Sequence, residues 1–400
     1  MARKSRSDAQ AVQQVVAAFL KLPWKVQVAI VALVLLVGGI VLTLRITSPQ
    51  SPAQPQANPQ TTSSPEPTDL GGLTNVPPVV TGFPDSAKSV VFCLWNMENV
   101  FDDKFDRRNH SADKEFDAWF SSDASLRQLK YQRLTEALLR FNHGIGPDII
   151  VGIEIESYRA AELLKNSLNS ELPAQAAPYE HVAMKELNAG RHIAPAVIAR
   201  YPLSRAQLHG RLQRILEVHV TVNGHELVIV ASHWTSQISD DGKRESGGRA
   251  GYAATIAKIY EAAIQTNPHV DFLVCGDFND TPESETIRTK LGMIADSRLV
   301  TPNARPPRLY GLLSGKSPEK FGTHYYNEPL IYDQIGVSPG LLDTAGWGLV
   351  PDSVQVPTEG LIRSGTRARR PWRFGSRTDD AVGRGYSDHF PVLATFQVAP

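Results

Sequence analysis

The segment that most constrains the fold is a short apolar run at 272–275 that ends at Gly276. Consecutive apolar side chains face both sides of an extended strand, so the run predicts a strand buried on both faces. The glycine suits a tight exit from that strand. Asp277 and Asn279 follow, and side chains two residues apart in an extended segment point the same way. The segment therefore predicts one polar site at a strand end, with a plain Asp/Asn turn as the alternative.

Polar side chains recur at the ends of other apolar, strand-like runs. The positions are Asn96, Glu154, His233, Asp277 with Asn279, Asp333, and Asp388 with His389. Each has an ordinary explanation when taken alone, such as a turn cap, a surface charge or a core histidine. Six separate strand ends with the same pattern instead predict that several strands converge on one site.

Helical and strand patterns alternate along the chain. The predicted helices are 126–141, 160–168 and 249–265, and the predicted strands include 148–153, 196–199, 215–222 and 227–231. The polar segment at 102–123 is predicted to be a loop. This alternation predicts the α/β or α+β class.

Three strand-end residues, Glu154, Asn96 and Asp388, offer hard oxygen ligands. Such ligands suit Mg²⁺ or Mn²⁺, which keep several waters and bind substrate phosphates. The sequence shows neither the cysteine spacing nor the histidine cluster typical of zinc sites. The predicted cofactor is therefore Mg²⁺, with Mn²⁺ as the alternative.

The other strand-end residues suit hydrolysis of a phosphate ester by water. We expect Asp277 to orient or deprotonate the attacking water, with Asn279 positioning that water or the phosphate. We expect His389, oriented by Asp333, to carry positive charge toward the phosphorus. His233 is expected to donate a hydrogen bond to a non-bridging oxygen. The predicted reaction is metal-assisted phosphoester hydrolysis.

The N-terminal part of the chain predicts a membrane anchor. Residues 26–44 contain no charged side chain and, as a helix, reach about 28 Å, close to the thickness of a hydrocarbon core. Basic residues lie mainly in 1–25, so that segment is expected to stay cytoplasmic. A cleaved signal peptide is the alternative. The prediction is a single-pass membrane protein with an extracytoplasmic catalytic domain.

A linker and a globular domain follow the predicted anchor. Residues 45–80 are rich in proline, serine and threonine, which predicts a disordered spacer, and 81–400 is the predicted catalytic domain. The chain has 41 basic and 41 acidic residues, but residues 1–45 hold six basic residues and one acidic residue. The remainder is therefore net acidic and lacks an overall basic field for nucleic acid.

The two cysteines, Cys93 and Cys275, both lie in apolar runs. Neither has a redox or zinc-ligand spacing, so buried free thiols are expected. A single disulfide between them is the alternative. Cysteine usage therefore says little about the compartment.

The strand-end motifs resemble those of the endonuclease/exonuclease/phosphatase superfamily. The resemblance spans 88–398 and rests on Asn96 in Asn-Met-Glu-Asn-Val-Phe-Asp, Glu154 after Pro-Asp-Ile-Ile, Gly-Asp-Phe-Asn, Asp333 and Ser-Asp-His. The first motif is similar to Asn-x-Glu-Asn-Leu-Phe-Asp of a bacterial branch. The resemblance implies a four-layer α/β sandwich, with two β-sheets face to face and helices outside, and metal-dependent phosphodiester hydrolysis.

Two departures from the family pattern leave the substrate class open. The histidine motif of the family usually reads Asn-His-Trp or Asn-x-His-Leu, whereas Ser232 precedes His233 here. The segment 191–196 is similar to Arg-Gly-Ile-Asp-Val-Ala but lacks the glycine and the aspartate. Both positions concern contacts to the phosphate.

An arginine-rich segment precedes the last motif. It contains Arg363, Arg367, Arg369, Arg370, Arg373 and Arg377, together with Trp372 and Phe374. Arginines with interleaved aromatics can hold a polynucleotide backbone and stack on bases. Contact with anionic lipid head groups and a solvated loop are the alternatives.

The sequence as a whole predicts a membrane-anchored Mg²⁺-dependent phosphodiesterase, specifically a nuclease with DNA or RNA as its partner. The alternative is a phosphatase or phospholipase-like hydrolase of small or lipid-borne phosphate esters. A third interpretation is a binding module without activity, against which Asp277, Glu154 and His389 argue. No obligate protein partner is evident from the sequence.

Overall fold

Two mixed β-sheets form the centre of the computed structural model. The structure describes residues 84, 86–187, 190–210, 214–237, 248–363, 369–379 and 383–400, which all belong to one unit, Leu70–Pro400. In chain order the strands are β1 (Lys88–Val100), β2 (Ile149–Ile155), β3 (His181–Met184), β4 (Ala194–Ala199), β5 (Leu203–His209), β6 (Arg214–Val222), β7 (His225–His233), β8 (Phe272–Asp277), β9 (Met293–Ile294), β10 (Leu309–Gly311), β11 (His324–Tyr326), β12 (Glu328–Leu330), β13 (Asp333–Val337), β14 (Trp347–Leu349) and β15 (Val392–Val398).

The strands divide into two large sheets and a hairpin. The first sheet has the order β14-β15-β1-β2-β4-β3, and the second has the order β5-β6-β7-β8-β13-β10-β9. β11 and β12 pair only with each other as named strands. The helices are α1 (Ser111–Ser122), α2 (Ala124–Leu138), α3 (Tyr158–Glu171), α4 (Arg249–Thr266) and α5 (Pro318–Phe321). Short helical turns lie at Asn142–Gly144, Thr286–Leu291, Ser297–Leu299 and Gly340–Leu342.

Alternate side chains of β7 belong to two different hydrophobic cores, which shows how the layers pack. Ile229 and Ala231 belong to the hydrophobic core that also contains the strands of the first sheet. Val228 and Val230 belong to a second core that contains apolar side chains of α4. Successive side chains of a strand point to opposite faces, so the second sheet is covered by the first sheet on one face and by α4 on the other. Two mixed sheets with flanking helices confirm the predicted α/β sandwich.

The predicted helices at 126–141, 160–168 and 249–265 are confirmed as α2, α3 and α4, with shifted ends. The prediction of a loop over 102–123 is wrong, because this segment contains α1. Its aromatic residues Phe116, Trp119 and Phe120 are spaced three and one apart and pack with Phe101 in a small cluster. Aromatic residues at helical spacing give the segment one apolar face, and burial of that face favours a helix despite the charged residues around it.

Cys93 and Cys275 are both buried and both free. The expectation of free thiols is confirmed, and the alternative of a disulfide is excluded. Burial raises the pKa of both thiols, because the thiolate is poorly solvated in the core. The two side chains therefore act as small apolar groups of the sandwich.

The prediction of a single-pass membrane protein with an exported catalytic domain is contradicted. Within the part of the chain that the structure describes, no helix combines the length and apolar character needed to cross a bilayer. The predicted basic segment 1–25, the anchor at 26–44 and the linker 45–80 all lie outside the described residues. The prediction came from hydropathy and from the basic residues before the apolar stretch, and no described helix supports it.

Candidate active site

The ends of neighbouring strands bring the predicted catalytic residues together. β7 runs parallel to β8, and its register places His233 beside Asp277. β13 runs antiparallel to β8, and its register places Asp333 on the other side of Asp277. From the first sheet, Asn96 of β1 donates a hydrogen bond through Nδ2 to Oδ2 of Asp277 over 3.0 Å. The two sheets therefore meet at the Asp277 carboxylate.

Gly276 allows β8 to pair closely with β7 just before Asp277. A Cβ atom at this position would lie 1.8 Å from the carbonyl oxygen of Ser232. A larger residue would push the two strands apart and separate Asp277 from its neighbour His233. The glycine that the sequence marks as a strand exit is therefore required for close strand approach.

Asp277 lies in a buried and charged environment, only 2% exposed. Its Oδ1 accepts the backbone N–H of Asn279 over 2.9 Å. Its Oδ2 lies 3.8 Å from Nε2 of His233 and 3.9 Å from Nε2 of His389. Burial raises the pKa of Asp277 to about 7, and Asp333 adds to the rise while His389 opposes it. This carboxyl group is therefore suited to take up a proton near neutral pH.

Asn279 follows the strand in a tight turn with a φ of 49°, a backbone conformation that asparagine tolerates. Its Nδ2 donates to the carbonyl oxygen of Trp234 over 3.3 Å. Between the two polar residues, the ring of Phe278 stacks on Trp234 with 4.5 Å between centroids. The segment is thus both a turn and part of the site, and its aromatic residue anchors it in the core.

His389 and Asp333 form a buried pair, with Nδ1 of His389 2.6 Å from Oδ2 of Asp333. Burial alone would lower the pKa of His389. The carboxylates of Asp333 and Asp277 outweigh this effect and hold its pKa well above the usual value. The imidazole therefore carries a positive charge, and Asp333 fixes its orientation.

His233 is held in the opposite charge state. Burial lowers its pKa well below the usual value, and the positive charges of Arg214, Arg191 and His389 lower it further. Its Nε2 lies 3.7 Å from Oε1 of Glu154. A neutral imidazole has one N–H to donate, so His233 can supply a hydrogen bond without a charge.

Glu154 and Asn96 lie at the ends of the neighbouring parallel strands β2 and β1. The backbone N–H of Asn99 donates to Oε2 of Glu154 over 3.0 Å. The oxygen Oδ1 of Asn96 accepts the N–H of Glu98 over 3.1 Å, while its nitrogen contacts Asp277. Both predicted ligands are therefore held by backbone groups of the β1 end, beside the catalytic carboxylate.

Asp388, the third predicted ligand, lies on the loop before β15. Its carboxylate belongs to a group with His324 and His389, in which one possible ligand atom of each residue lies within 4.8 Å of the others. No comparable group of acidic and histidine side chains within the described ranges includes Glu154. The structure thus places Asp388 beside His389.

Two charged residues beside the site, Glu98 and Lys130, were missed by the sequence analysis. Lys130 of α2 is fully buried and donates to the carbonyl oxygen of Tyr386 over 2.8 Å. The Glu98 carboxylate accepts the backbone N–H of Phe374 over 2.6 Å and that of Gly375 over 3.0 Å. Burial raises the pKa of Glu98 to about 8 and lowers that of Lys130 to about 8, while the attraction between the two opposes both shifts. The two buried groups therefore influence each other's charge, although no direct ion pair joins them among the described residues.

A sequence signal for Lys130 exists in the pattern of α2. Lys130 lies four residues after Leu126 and four residues before Leu134, so it shares their face of the helix. A lysine inside an apolar stripe indicates a buried charge with a partner. Glu98 gives no such signal, because its burial depends on a loop nearly 280 residues away in sequence.

The side chains around the site suit a hard divalent cation. Three carboxylates, those of Glu98, Asp388 and Glu154, act on the charge of Lys130. Three acidic side chains therefore lie around one buried ammonium group. Oxygen ligands of this kind are those that Mg²⁺ and Mn²⁺ prefer. The residues present therefore fit the predicted cofactor.

Thr323 connects both members of the His389–Asp333 pair. Its Oγ1 accepts the backbone N–H groups of Tyr332 over 3.1 Å and Asp333 over 3.0 Å. Its carbonyl oxygen accepts the N–H of Phe390, next to His389, over 2.7 Å. Thr323 is fully buried, so these donors have no access to water. It is therefore a positioning residue for the pair.

We expect Thr323→Val, which keeps the shape of the side chain, to lower kcat for a generic phosphodiester by roughly tenfold at unchanged KM. Two backbone N–H groups lose their acceptor, and each lost hydrogen bond costs about 0.5–1.5 kcal/mol. Asp333 is one of the two residues, so its position beside His389 changes. Thr323→Ser keeps the hydroxyl and should retain most of the activity. Steady-state kinetics of the unmodified protein and the two variants tests this expectation. Equal kcat values for the valine and serine variants would contradict the positioning role of the Thr323 hydroxyl.

Three solved structures show what the chain is similar to. TDP2 from Caenorhabditis elegans aligns with a TM-score of 0.45 and 13% identity, over 78% of this chain and 76% of that chain. TDP2 from D. rerio, complexed with single strand DNA product, gives a TM-score of 0.41 and 14% identity, over 77% and 99%. A beta toxin from Staphylococcus aureus with bound magnesium ions gives 0.44 and 13% identity, over 78% and 100%. A search of curated proteins finds no match.

Family membership follows from the sequence itself. The sequence model described as the Endonuclease/Exonuclease/phosphatase family matches residues 90–398. This range begins in β1, ends in β15 and contains the whole set of strand-end residues predicted above. The chain therefore belongs to the endonuclease/exonuclease/phosphatase family of metal-dependent phosphoester hydrolases.

Proposed function

We propose that this chain is a nuclease, a Mg²⁺-dependent phosphodiesterase that cleaves DNA or RNA by in-line attack of water. The supporting observation is the position of the buried Asp277 carboxylate, within 4 Å of a neutral His233 and a cationic His389. A base, a neutral donor and a positive charge at one point match the needs of phosphoester hydrolysis. We infer that 81–400 is the catalytic domain.

In the proposed reaction, the oxygen of a water molecule bonds to phosphorus while the ester oxygen opposite it leaves. Asp277 accepts the proton of that water, and Asn279 positions the water or the phosphate. The charge of His389 and the N–H of His233 stabilise the negative charge on the phosphate oxygens. The leaving oxygen takes its proton from solvent. Asp333 acts through His389 by holding its ring.

Glu154, Asn96 and Asp388 would hold the Mg²⁺ or Mn²⁺. When bound, the ion supplies positive charge to the phosphate oxygens. Lys130 lies behind these residues and balances part of their charge. The chemistry of the ligands supports this assignment, since all three offer oxygen atoms.

The β11–β12 hairpin supports a nucleic acid as the substrate. The ring of His324 lies 4.4 Å from the ring of His389, so the hairpin borders the site directly. Tyr326 is 64% exposed, and the guanidinium of Arg370 lies 5.6 Å from the ring centroid of Tyr325. An exposed tyrosine next to a half-buried tyrosine that carries an arginine suits stacking on bases and contact with the strand backbone.

Only part of the arginine-rich segment is available for such contacts. Phe374 is buried in a cluster with Phe101, so stacking of bases on this ring is excluded. Arg369 donates to the carbonyl oxygen of Val356 over 2.9 Å, and Arg373 pairs with Asp379 at 2.7 Å. Arg367 lies outside the described residues. Deleting the whole segment would also remove the two N–H groups that hold Glu98, so point variants give the cleaner test.

We expect Tyr326→Ala and Arg370→Gln each to raise KM for single-stranded DNA by roughly 5- to 100-fold, the range expected for one lost base stack. Hydrolysis of a small generic phosphodiester should be unchanged, because neither side chain contacts Asp277 or its histidines. Tyr158, an exposed tyrosine on α3, supplies the matched control Tyr158→Ala. Equal losses on both substrates would contradict base recognition, and turnover of small or lipid-borne esters alone would favour a phosphatase or phospholipase-like hydrolase.

A further inference from the structure

A cavity of about 620 Å³ lies beside β9, the edge strand of the second sheet. Its lining includes Pro282 and Glu283, which lie five and six residues after Asp277 in the chain. None of the predicted catalytic residues or metal ligands lines the cavity. Cavities of roughly 300–1,000 Å³ are typical of sites for small molecules. The cavity is therefore large enough for a ligand of its own.

Four arginines line this cavity against two carboxylates. They are Arg288, Arg298, Arg305 and Arg308, with Glu283 and Asp296 as the acids. Arg298 is paired with Asp296 at 2.7 Å, and Arg305 donates to the carbonyl oxygen of Ala304 over 2.8 Å. Neither Arg288 nor Arg308 forms an ion pair with any residue in the described ranges. Two guanidinium groups are thus left to attract an anion.

The rest of the lining is largely apolar. Met293 and Ile294 of β9 contribute the floor next to the core, and Pro306 lies among the lining residues. Leu299 also lines the cavity and is 60% exposed. Few other large apolar side chains among the described residues are exposed. A ligand with only an anionic group would leave this apolar surface in contact with water.

We propose that this cavity binds a phosphate monoester of nucleotide size, with the phosphate on Arg288 and Arg308 and the apolar or aromatic part against Leu299. The guanidinium group offers paired donors that match phosphate oxygens, and it also stacks on aromatic rings. A free mononucleotide and the phosphorylated end of a strand share this chemistry. The site does not rest on the proposed nuclease activity, because no catalytic residue takes part in it.

The test is calorimetric titration of the full-length protein in the presence of a chelator, which keeps divalent metal from the active site. The probes are adenosine 5′-monophosphate, adenosine, inorganic phosphate and a short 5′-phosphorylated oligonucleotide. We expect saturable binding of the monophosphate, with roughly tenfold weaker binding in Arg288→Gln and in Arg308→Gln. Lys290→Gln, two residues from Arg288 but not on the cavity wall, should bind like the unmodified protein.

Leu299→Asp provides a second, independent variant that keeps all four arginines and should also weaken binding of the monophosphate. Binding of the mononucleotide but not the oligonucleotide assigns a free nucleotide, and binding of both assigns a strand end. No binding of the monophosphate, or equal binding in the double variant Arg288→Gln/Arg308→Gln, would overturn the proposal. An affinity for adenosine equal to that for adenosine 5′-monophosphate would also overturn the proposal, because the phosphate would then contribute nothing to binding. Metal-dependent plasmid cleavage, measured separately, distinguishes this failure from a failure of the proposed nuclease function.

Discussion

Replacing Asp277 with asparagine is expected to lower kcat for a phosphodiester by roughly 10²–10⁴-fold, the usual contribution of a general base. The amide keeps the size of the carboxyl group, and its oxygen can still accept the N–H of Asn279, so the turn stays in place while the hydrogen bond from Asn96 is lost. It cannot accept a proton from water. KM should change little, because His233 and His389 remain to contact the phosphate.

Asp280→Asn is the matched control for this variant. Asp280 lies three residues further along the same turn and pairs with Arg249 at 3.2 Å, without contact to either histidine. Its loss is expected to lower kcat less than fivefold, because the Asp280 carboxylate pairs with Arg249 and not with the groups around Asp277. Asp277→Asn with near-normal kcat, or a loss of the same size in both variants, would contradict the role of Asp277 as the base. Thermal unfolding of each variant shows whether the fold is intact.

Replacing Lys130 with methionine is expected to destabilise the protein by about 1–3 kcal/mol, because a buried carbonyl oxygen loses its donor and Glu98 loses a nearby positive charge. Methionine fills a similar volume but supplies no charge. Glu98, only 8% exposed, would then remain buried with two backbone donors and no cation. The carbonyl oxygen of Tyr386 would also lose its donor. Urea denaturation of the variant and the unmodified protein measures the difference.

A second substitution separates the charge effect from packing. The double variant Lys130→Met/Glu98→Gln removes both charges and should recover about half of the lost stability, because no unpaired carboxylate remains. Lys165→Met is the control, since Lys165 pairs with Glu162 near the surface of α3 at 2.8 Å and should cost about 1 kcal/mol or less. A small loss in Lys130→Met, or no recovery in the double variant, would show that the pair does not stabilise the fold.

The strand ends of this fold are predictable from the sequence, because hydrophobic periodicity and turn residues are local properties. The apolar run before Gly276 is predicted to be a strand and is confirmed as β8, and the polar residues after it predict a site at its end. The register that places His233 and Asp333 beside Asp277 is seen only in the structure. Periodicity likewise predicted α2, α3 and α4 within a few residues.

Features that depend on contacts between distant segments were not predictable. Glu98 is buried by the loop at 374–375, and Thr323, just before β11, reaches Asp333 and Phe390 across the fold. The sequence also suggested Phe374 as an aromatic ring for stacking on bases, whereas it belongs to the core around α1. Local composition cannot distinguish a buried aromatic residue in a loop from an exposed one.

The most direct test of the central claim is a plasmid-cleavage assay with the purified full-length protein, in Mg²⁺ and in excess chelator, alongside a small generic phosphodiester. The account predicts that supercoiled DNA is nicked and the small ester is hydrolysed only when the metal is present. Both activities should disappear in Asp277→Asn. Hydrolysis that persists in chelator, or a correctly folded protein that cleaves neither substrate with Mg²⁺ or Mn²⁺, would contradict it.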